Sequence, residues 1–170
     1  MKKIFEWLKP IIFAVVIAFI INSFIIVNAI IPTASMEPTI LVNDRVIALR
    51  MSYLFTEPER GDIVIFDSNY EDKLLVKRII GLPGDSIEVV DSKVKINGEF
   101  IDDFSDIAII GDFGPYEVPE ESYFMLGDNR NRSKDSRYWD NPYVEKSLIK
   151  GKVWIKYFPS LEYLGGNNGQ

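Results

Sequence analysis

Apolar residues dominate the amino-terminal part of the chain. The 21 residues from Ile11 to Ile31 carry no charge and are interrupted only by Asn22, Ser23 and Asn28. A helix of about 20 residues crosses the hydrocarbon core of a membrane. A cleaved signal peptide would have a shorter apolar run, about 7 to 15 residues, ending at an A-x-A-like site. The pattern therefore predicts a transmembrane anchor over residues 11–31, after a short amino-terminal segment of residues 1–10.

Beyond Pro32 the pattern changes to short alternating runs separated by Gly, Pro, Asn and Asp, which is typical of strands and turns. Only Asn141–Ile149 has weak helical character. The sequence thus predicts a mainly β domain over residues 32–164, followed by a mobile tail at 165–170. The predicted strands are Arg45–Met51, Asp62–Asp67, Leu74–Ile80, Ser86–Val90, Lys93–Ile96, Ser122–Leu126 and Lys152–Phe158.

Charge gives the apolar segment a direction. Three lysines (Lys2, Lys3 and Lys9) precede it, whereas Arg45 is the only basic residue among the fifteen that follow it. The positive-inside rule places the amino terminus in the cytoplasm and the domain after Pro32 on the outer face of a cytoplasmic membrane.

The net charge is -6, and the first 31 residues contribute +2, which leaves -8 for the rest. An acidic domain without a basic run is a poor candidate for nucleic-acid binding.

The chain contains no histidine and no cysteine. This excludes cysteine nucleophiles, zinc sites built from Cys or His, and every triad that uses imidazole. A lysine can replace histidine as a base only when its ammonium is desolvated, because the ordinary lysine pKa is about 10.4. In LLVKRIIG, strand alternation places Lys77 between Leu75 and Ile79 on one face. The same pattern also fits an edge-strand lysine that limits aggregation.

Ser35 lies in PTASMEPTI, directly after the apolar segment. A serine there is by default a loop residue, but its position at the predicted membrane surface makes it a candidate nucleophile. Farther along, GDNRNRSKDSRYW at 127–139 is rich in hydrogen-bonding groups. It fits either a solvated loop or a rigid polar network behind a site. It lacks the regular Gly and Asp positions of a calcium loop, so no metal site is predicted.

Four segments carry a family resemblance: SMEPTI at 35–40, GDIVIF at 61–66, KRIIGLPGD at 77–85 and GDNRNRSKDSR at 127–137. In this order, after an anchor, they resemble bacterial type I signal peptidases in their short, single-anchor form. The resemblance implies a β-rich catalytic core with a smaller β insertion over about residues 86–121.

The resemblance also implies the chemistry: a membrane-bound serine endopeptidase that removes signal peptides from secreted preproteins through an acyl-enzyme, without a cofactor. Ser35 would be the nucleophile and Lys77 the general base, with Ser133 hydrogen-bonding the lysine amine. The Thr33 hydroxyl would join the oxyanion hole. Asp135 and Arg137 would form a structural ion pair that Arg78 joins. The implied partners are preprotein signal peptides, the lipid bilayer and the secretion machinery.

Two other interpretations stay open at this stage. One is a self-cleaving Ser-Lys repressor with a related β fold, although the anchor and the acidic charge argue against DNA binding. The other is an anchored β domain that binds a secretion partner, in which Ser35 and Lys77 are incidental. Cleavage of a preprotein by membranes that contain this protein separates these interpretations.

Overall fold

The computed structural model describes residues 2–69, 73–101 and 104–166. It opens with helix α1, Lys2–Ile20, which continues as a π-helical turn over Ile21–Ile25. The segment Trp7–Ile25 is long and apolar enough to cross a membrane, and none of it is buried in the protein. Of the predicted mobile tail, residues 167–170 lie outside the described residues.

The remainder is built from strands, and the prediction of a mainly β fold is confirmed. Three short 3-10 turns, Ala34–Met36, Arg50–Tyr53 and Lys146–Leu148, interrupt them. The strands are β1 Ile26–Ile30, β2 Arg45–Leu49, β3 Ile63–Asp67, β4 Leu74–Gly81, β5 Ser86–Val90, β6 Lys93–Ile96, β7 Glu99–Phe100, β8 Phe113–Glu117, β9 Ser122–Leu126, β10 Tyr143–Glu145, β11 Ile149–Phe158 and β12 Glu162–Tyr163.

The apolar amino-terminal run forms first a helix and then a strand, so the helix ends earlier than the predicted Ile31. Residues 26–30 form β1, which pairs antiparallel with β2 from Ile26 opposite Leu49 to Ile30 opposite Arg45. Val27 and Ile31 are buried in the core. Isoleucine and valine suit both a lipid-facing helix and a packed strand, so hydropathy alone does not mark the point where one becomes the other.

Two sheets make up the β domain. The larger has the order β1-β2-β11-β3-β4-β9-β10, with β12 paired to β11. The smaller has the order β7-β6-β5-β8 and falls within the predicted insertion. Its own apolar cluster includes the fully buried Ile87, Val89 and Val94.

The helical prediction for Asn141–Ile149 is wrong. Tyr143–Glu145 is strand β10, and a 3-10 turn follows it over Lys146–Leu148. Tyr143 pairs with Phe124 and Val144 with Tyr123, and Val144 is buried. Aromatic and β-branched side chains favour such a half-buried strand, and pairing with β9 overrides the weak helical pattern.

Strand β4 is an interior strand of the larger sheet. It lies between β3 and β9 and is buried from Lys77 through Gly81. Lys77 stands opposite Val64 of β3, and Arg78 stands opposite Leu126 of β9. Because neighbouring strand residues point to opposite faces, the side chains of these two cations lie on opposite faces of the sheet.

Candidate active site

Ser35 is held in the 3-10 turn Ala34–Met36 that follows β1. The next residue, Met36, is fully buried, and so is Ile40, whose N–H donates to the Met36 carbonyl at 2.9 Å. These two apolar side chains thereby anchor the chain in the core directly after the turn's polar member, Ser35. This local packing fixes the serine against the larger sheet.

Lys77 reaches this serine from β4. Its Nζ lies 2.8 Å from Ser35 Oγ and 3.1 Å from the Val76 carbonyl oxygen. Lys77 is 3% exposed and Ser35 is 7% exposed. Val64 lies directly across from Lys77, and Leu75 and Ile79 flank it along the strand. Such burial among apolar side chains disfavours a charged ammonium.

Thr33 lies at the rim of this pair. Its Oγ1 is 3.4 Å from Ser35 Oγ, a long hydrogen bond, and the residue is exposed. Its hydroxyl therefore faces the space in front of the serine from two residues upstream.

Ser133 is buried beside the serine turn, but the predicted hydrogen bond between its hydroxyl and Lys77 is not formed. Within the described residues Ser133 Oγ has no hydrogen-bond partner. The loop packs it against Gly127, where an added Cβ would lie 2.2 Å from Ser133 Oγ and 2.4 Å from the Ser35 carbonyl oxygen. The lysine amine is instead directed to Ser35 and to its own strand.

Asp135 and Arg137 form a fully buried bidentate ion pair. Arg137 Nε and Nη2 donate to the two Asp135 oxygens at 2.8 and 2.9 Å. Asp135 also accepts from the Gly127 N–H at 3.0 Å, which ties the pair to the start of the polar loop. Arg137 Nη2 donates in addition to the Arg130 carbonyl at 2.6 Å.

Arg78 does not join that pair, contrary to the prediction. Its Nε and Nη2 donate to Asp128 at 2.8 and 2.6 Å, and its Nη1 donates to the Gly61 carbonyl at 2.7 Å. The reason is register: Arg78 stands opposite Leu126, and Asp128 follows two positions later. The nearest carboxylate on that side is therefore Asp128.

Asp128 and Asn129, which the sequence did not single out, hold the serine turn in place. Asp128 accepts a hydrogen bond from Thr39 Oγ1 at 2.6 Å. The Asn129 N–H donates to the Ser35 carbonyl at 3.0 Å, and its Nδ2 donates to the Ala34 carbonyl at 3.1 Å. The density of polar groups at 127–139 was the available signal, but composition does not say which of them contacts the turn.

Two cavities open at the serine and lysine. One, of about 340 Å³, follows β1 and β4 and is lined mainly by apolar side chains such as Ala29, Ile31, Met36, Leu75 and Val76. The other, of about 240 Å³, is lined by Ser68, Lys73, Arg132, Lys134 and Trp139. Across the described part of the chain, no group of three or more His, Cys, Asp or Glu side chains is placed to hold a metal ion.

A family model described as signal peptidase, peptidase S26, matches residues 4–158. The chain belongs to this signal peptidase family. It is 38% identical to a probable signal peptidase I-2 of Synechocystis over 159 residues, which is 89% of this chain and 72% of that protein. It is 37% identical to a signal peptidase I of Bacillus licheniformis over 169 residues, which is 93% of this chain and 90% of that protein.

A solved structure supports the same assignment. A signal peptidase I from Enterococcus faecalis matches with a TM-score of 0.50 and 34% identity, over 57% of this chain and 97% of that one. The predicted family is thus confirmed, and the protein is a serine endopeptidase of the signal peptidase I type that removes signal peptides. In a signal peptidase, the apolar helix at Trp7–Ile25 indicates association with a membrane.

Proposed function

We propose that this signal peptidase cleaves preproteins with Ser35 as nucleophile and Lys77 as general base. The observation that carries the proposal is the 2.8 Å separation of Lys77 Nζ and Ser35 Oγ in a buried, apolar setting. A nucleophile within hydrogen-bond reach of its base is the geometry that covalent catalysis requires. Burial favours the neutral amine, the form that can accept a proton.

The reaction runs in two steps. Neutral Lys77 takes the Ser35 proton as Oγ bonds to the scissile carbonyl carbon, and the resulting ammonium protonates the leaving amine as the C–N bond breaks. The acyl-enzyme ester remains on Ser35. Lys77 then takes a proton from water, whose oxygen attacks the ester, and the serine leaves with that proton restored.

The Ser35 N–H and the Thr33 hydroxyl would stabilise the oxyanion of both steps. Support for Thr33 is its exposed hydroxyl, 3.4 Å from Ser35 Oγ. Ser133 contributes a buried hydroxyl without a partner within the described chain. Since an unpaired buried hydroxyl is costly, we propose that it becomes a hydrogen-bond partner of the lysine amine during turnover.

The substrate and the enzyme would share one membrane. In this proposal the amino terminus lies in the cytoplasm and the catalytic domain lies on the outer face, because three lysines precede the apolar run that begins at Ile11. A bilayer-anchored signal peptide then meets the site at a high effective concentration without further contacts. The secretion machinery is a proposed further partner at the same membrane.

The decisive experiment is preprotein cleavage by membranes that contain the full chain. Ser35→Ala removes the nucleophile, and Lys77→Arg keeps a positive charge that cannot deprotonate, so neither variant should release the mature protein. Ser86→Ala and Lys93→Arg, on the smaller sheet, are the matched controls and should cleave normally. Turnover near that of the wild type in Ser35→Ala would rule out this serine.

Orientation is tested separately with a protease added to right-side-out vesicles. The domain after Pro32 should be digested, leaving a small membrane-bound fragment. Protection of the whole domain until the membrane is opened would overturn the proposed topology without affecting the assignment of Ser35 and Lys77.

A further inference from the structure

The two cavities that meet at Ser35 and Lys77 differ in charge. The groove along β1 and β4 is mainly apolar. The second cavity, which we call the cationic cleft, shares Thr33, Ser35, Lys73, Leu75 and Lys77 with that groove and adds Ser68, Arg132, Lys134 and Trp139. No carboxylate is among the described residues that line it. The chain after residue 31 carries a net -8, so a cleft whose charged lining residues, among those described, are all cations runs against the overall charge.

The polar loop directs these cations outward. Arg132 and Lys134 are exposed, whereas Ser133 between them is buried. Neither cation has an ion-pair partner among the described residues, unlike the buried Arg78 and Arg137, which pair with carboxylates. Two exposed, unpaired positive charges at the mouth of a cleft attract anionic groups on a ligand.

The polarity of the substrate decides which cavity receives which part of it. The apolar groove is continuous with β1, which follows directly from the membrane-spanning helix. It therefore fits the signal-peptide side of the cleaved bond. The cationic cleft begins at the same Ser35 and Lys77 but extends to the polar loop, where Arg132, Lys134 and Trp139 line it and no residue of β1 does. The cationic cleft is therefore available to the substrate residues that follow the cleaved bond.

We propose that Arg132 and Lys134 form a subsite for acidic side chains in the first residues of the mature protein. The inference rests on the proposed function, since it needs a peptide cleaved at Ser35. Electrostatic complementarity of this kind selects among substrates more than it raises overall affinity. The same charges would repel the new α-amino group, whose ordinary pKa of about 8 leaves it largely cationic near neutral pH, and so favour product release.

The test uses three preproteins that differ only at the second and third residues after the cut: Glu-Glu, Gln-Gln or Lys-Lys. Wild-type enzyme should cleave them with kcat/KM falling in that order, and the Glu-Glu to Lys-Lys ratio should be about tenfold, as exposed charge pairs allow. In Arg132→Gln/Lys134→Gln this ratio should fall to about two or less. Charge reversal in Arg132→Glu/Lys134→Glu should invert the order.

Lys93→Gln/Lys95→Gln removes the same net charge from the smaller sheet and serves as the control. It should keep the wild-type ratio. Raising the ionic strength should reduce the ratio in wild type, since the Debye length falls from about 8 Å at 0.15 M to about 3 Å at 1 M. An unchanged ratio in Arg132→Gln/Lys134→Gln would overturn the subsite. Failure of wild type to cleave any of the three preproteins would instead overturn the proposed function.

Discussion

Two regions next to the Ser35 and Lys77 pair differ in polarity: the strand that carries Lys77 is mainly apolar, and the loop at 127–139 is rich in charged side chains. On the strand side, Lys77 lies opposite Val64 and between Leu75 and Ile79 on its face of β4. On the loop side, the buried charges are paired: Asp135 with Arg137, and Asp128 with Arg78. A permanent guanidinium suits bidentate pairing, whereas a lysine can lose its charge when its surroundings are apolar.

The contrast indicates a division of labour. The arginine pairs hold the loop that carries Asn129 against the serine turn, and in the proposed mechanism the apolar face favours the neutral form of the lysine. Changes on the loop side should therefore affect folding or the geometry of the turn. Changes on the strand side should affect the dependence of the rate on pH.

The largest expected effect comes from breaking an arginine pair. Asp128→Ala leaves Arg78 buried with an uncompensated charge and also removes the acceptor for Thr39. Loss of one partner of a buried pair typically lowers the free energy of unfolding by about 3 to 5 kcal/mol. Denaturant unfolding in detergent micelles measures it.

Glu57→Gln is the control for this prediction, because Glu57 and Lys146 form an exposed pair. Exposed pairs contribute about 0 to 1 kcal/mol, so this variant should unfold like the wild type. The double variant Arg78→Met/Asp128→Leu should recover part of the stability by replacing both charges with apolar groups. Equal losses for Asp128→Ala and Glu57→Gln would contradict the structural importance of the buried pair.

Ser133 is the exception on the polar side, because its hydroxyl lacks a partner among the described residues. Ser133→Ala removes no hydrogen bond from the resting enzyme, so the free energy of unfolding should not fall. If the hydroxyl orients the lysine during turnover, kcat should fall by about one to three orders of magnitude. A merely structural hydroxyl would give the opposite result, with lowered stability and unchanged kcat.

Much of this arrangement follows from sequence. Alternation predicted Ser86–Val90, Lys93–Ile96 and Ser122–Leu126 with the bounds that the structure has. The same rule placed Lys77 between Leu75 and Ile79, because strand periodicity is local. The end of the apolar helix was not predictable, since Ile26–Ile30 is as apolar as the helix before it and only pairing with β2 distinguishes it.

Contacts between distant segments were the least predictable part of the site. Arg78 was expected beside Asp135, but strand register brings it to Asp128. Ser133 was expected to hydrogen-bond Lys77, yet its Oγ packs against Gly127 and has no hydrogen-bond partner among the described residues. Asn129 gave no separate signal because Asn131 could equally supply an amide. These pairings depend on register and loop conformation, which one sequence does not encode locally.

Asn129 allows a test of how the loop holds the serine turn. Asn129→Asp replaces the amide that donates to the Ala34 carbonyl with a repelling oxygen, while the backbone N–H to Ser35 remains. We expect kcat to fall by about 10- to 100-fold with little change in KM, because misplacement of a reacting group by about 1 Å has effects of this size. Steady-state kinetics on a preprotein measures both constants.

Asn131→Asp is the matched control, since Asn131 Nδ2 also donates to a backbone carbonyl, that of Ala108, at an exposed position. It should leave kcat unchanged. Equal losses of kcat in the two variants would show that the loop responds to any added charge. The hydrogen bond from Asn129 to the Ala34 carbonyl would then not be what positions the serine turn.

The smallest expected effect tests the apolar side. Leu75 lines both cavities and is half-buried, so the sheet can accept a polar residue there. Leu75→Glu adds a carboxylate on the face that carries Lys77, which favours the ammonium and raises the pKa of the amine. A rise of about one unit lowers the neutral fraction about tenfold at any pH well below that pKa. The acid limb of kcat/KM should therefore move to higher pH, with activity recovering as the pH rises.

Leu75→Gln has the same shape without the charge and is the control. It should keep the wild-type acid limb, even if both variants bind the substrate less well. Identical pH profiles for Leu75→Glu and Leu75→Gln would mean that the apolar face does not control the protonation of Lys77.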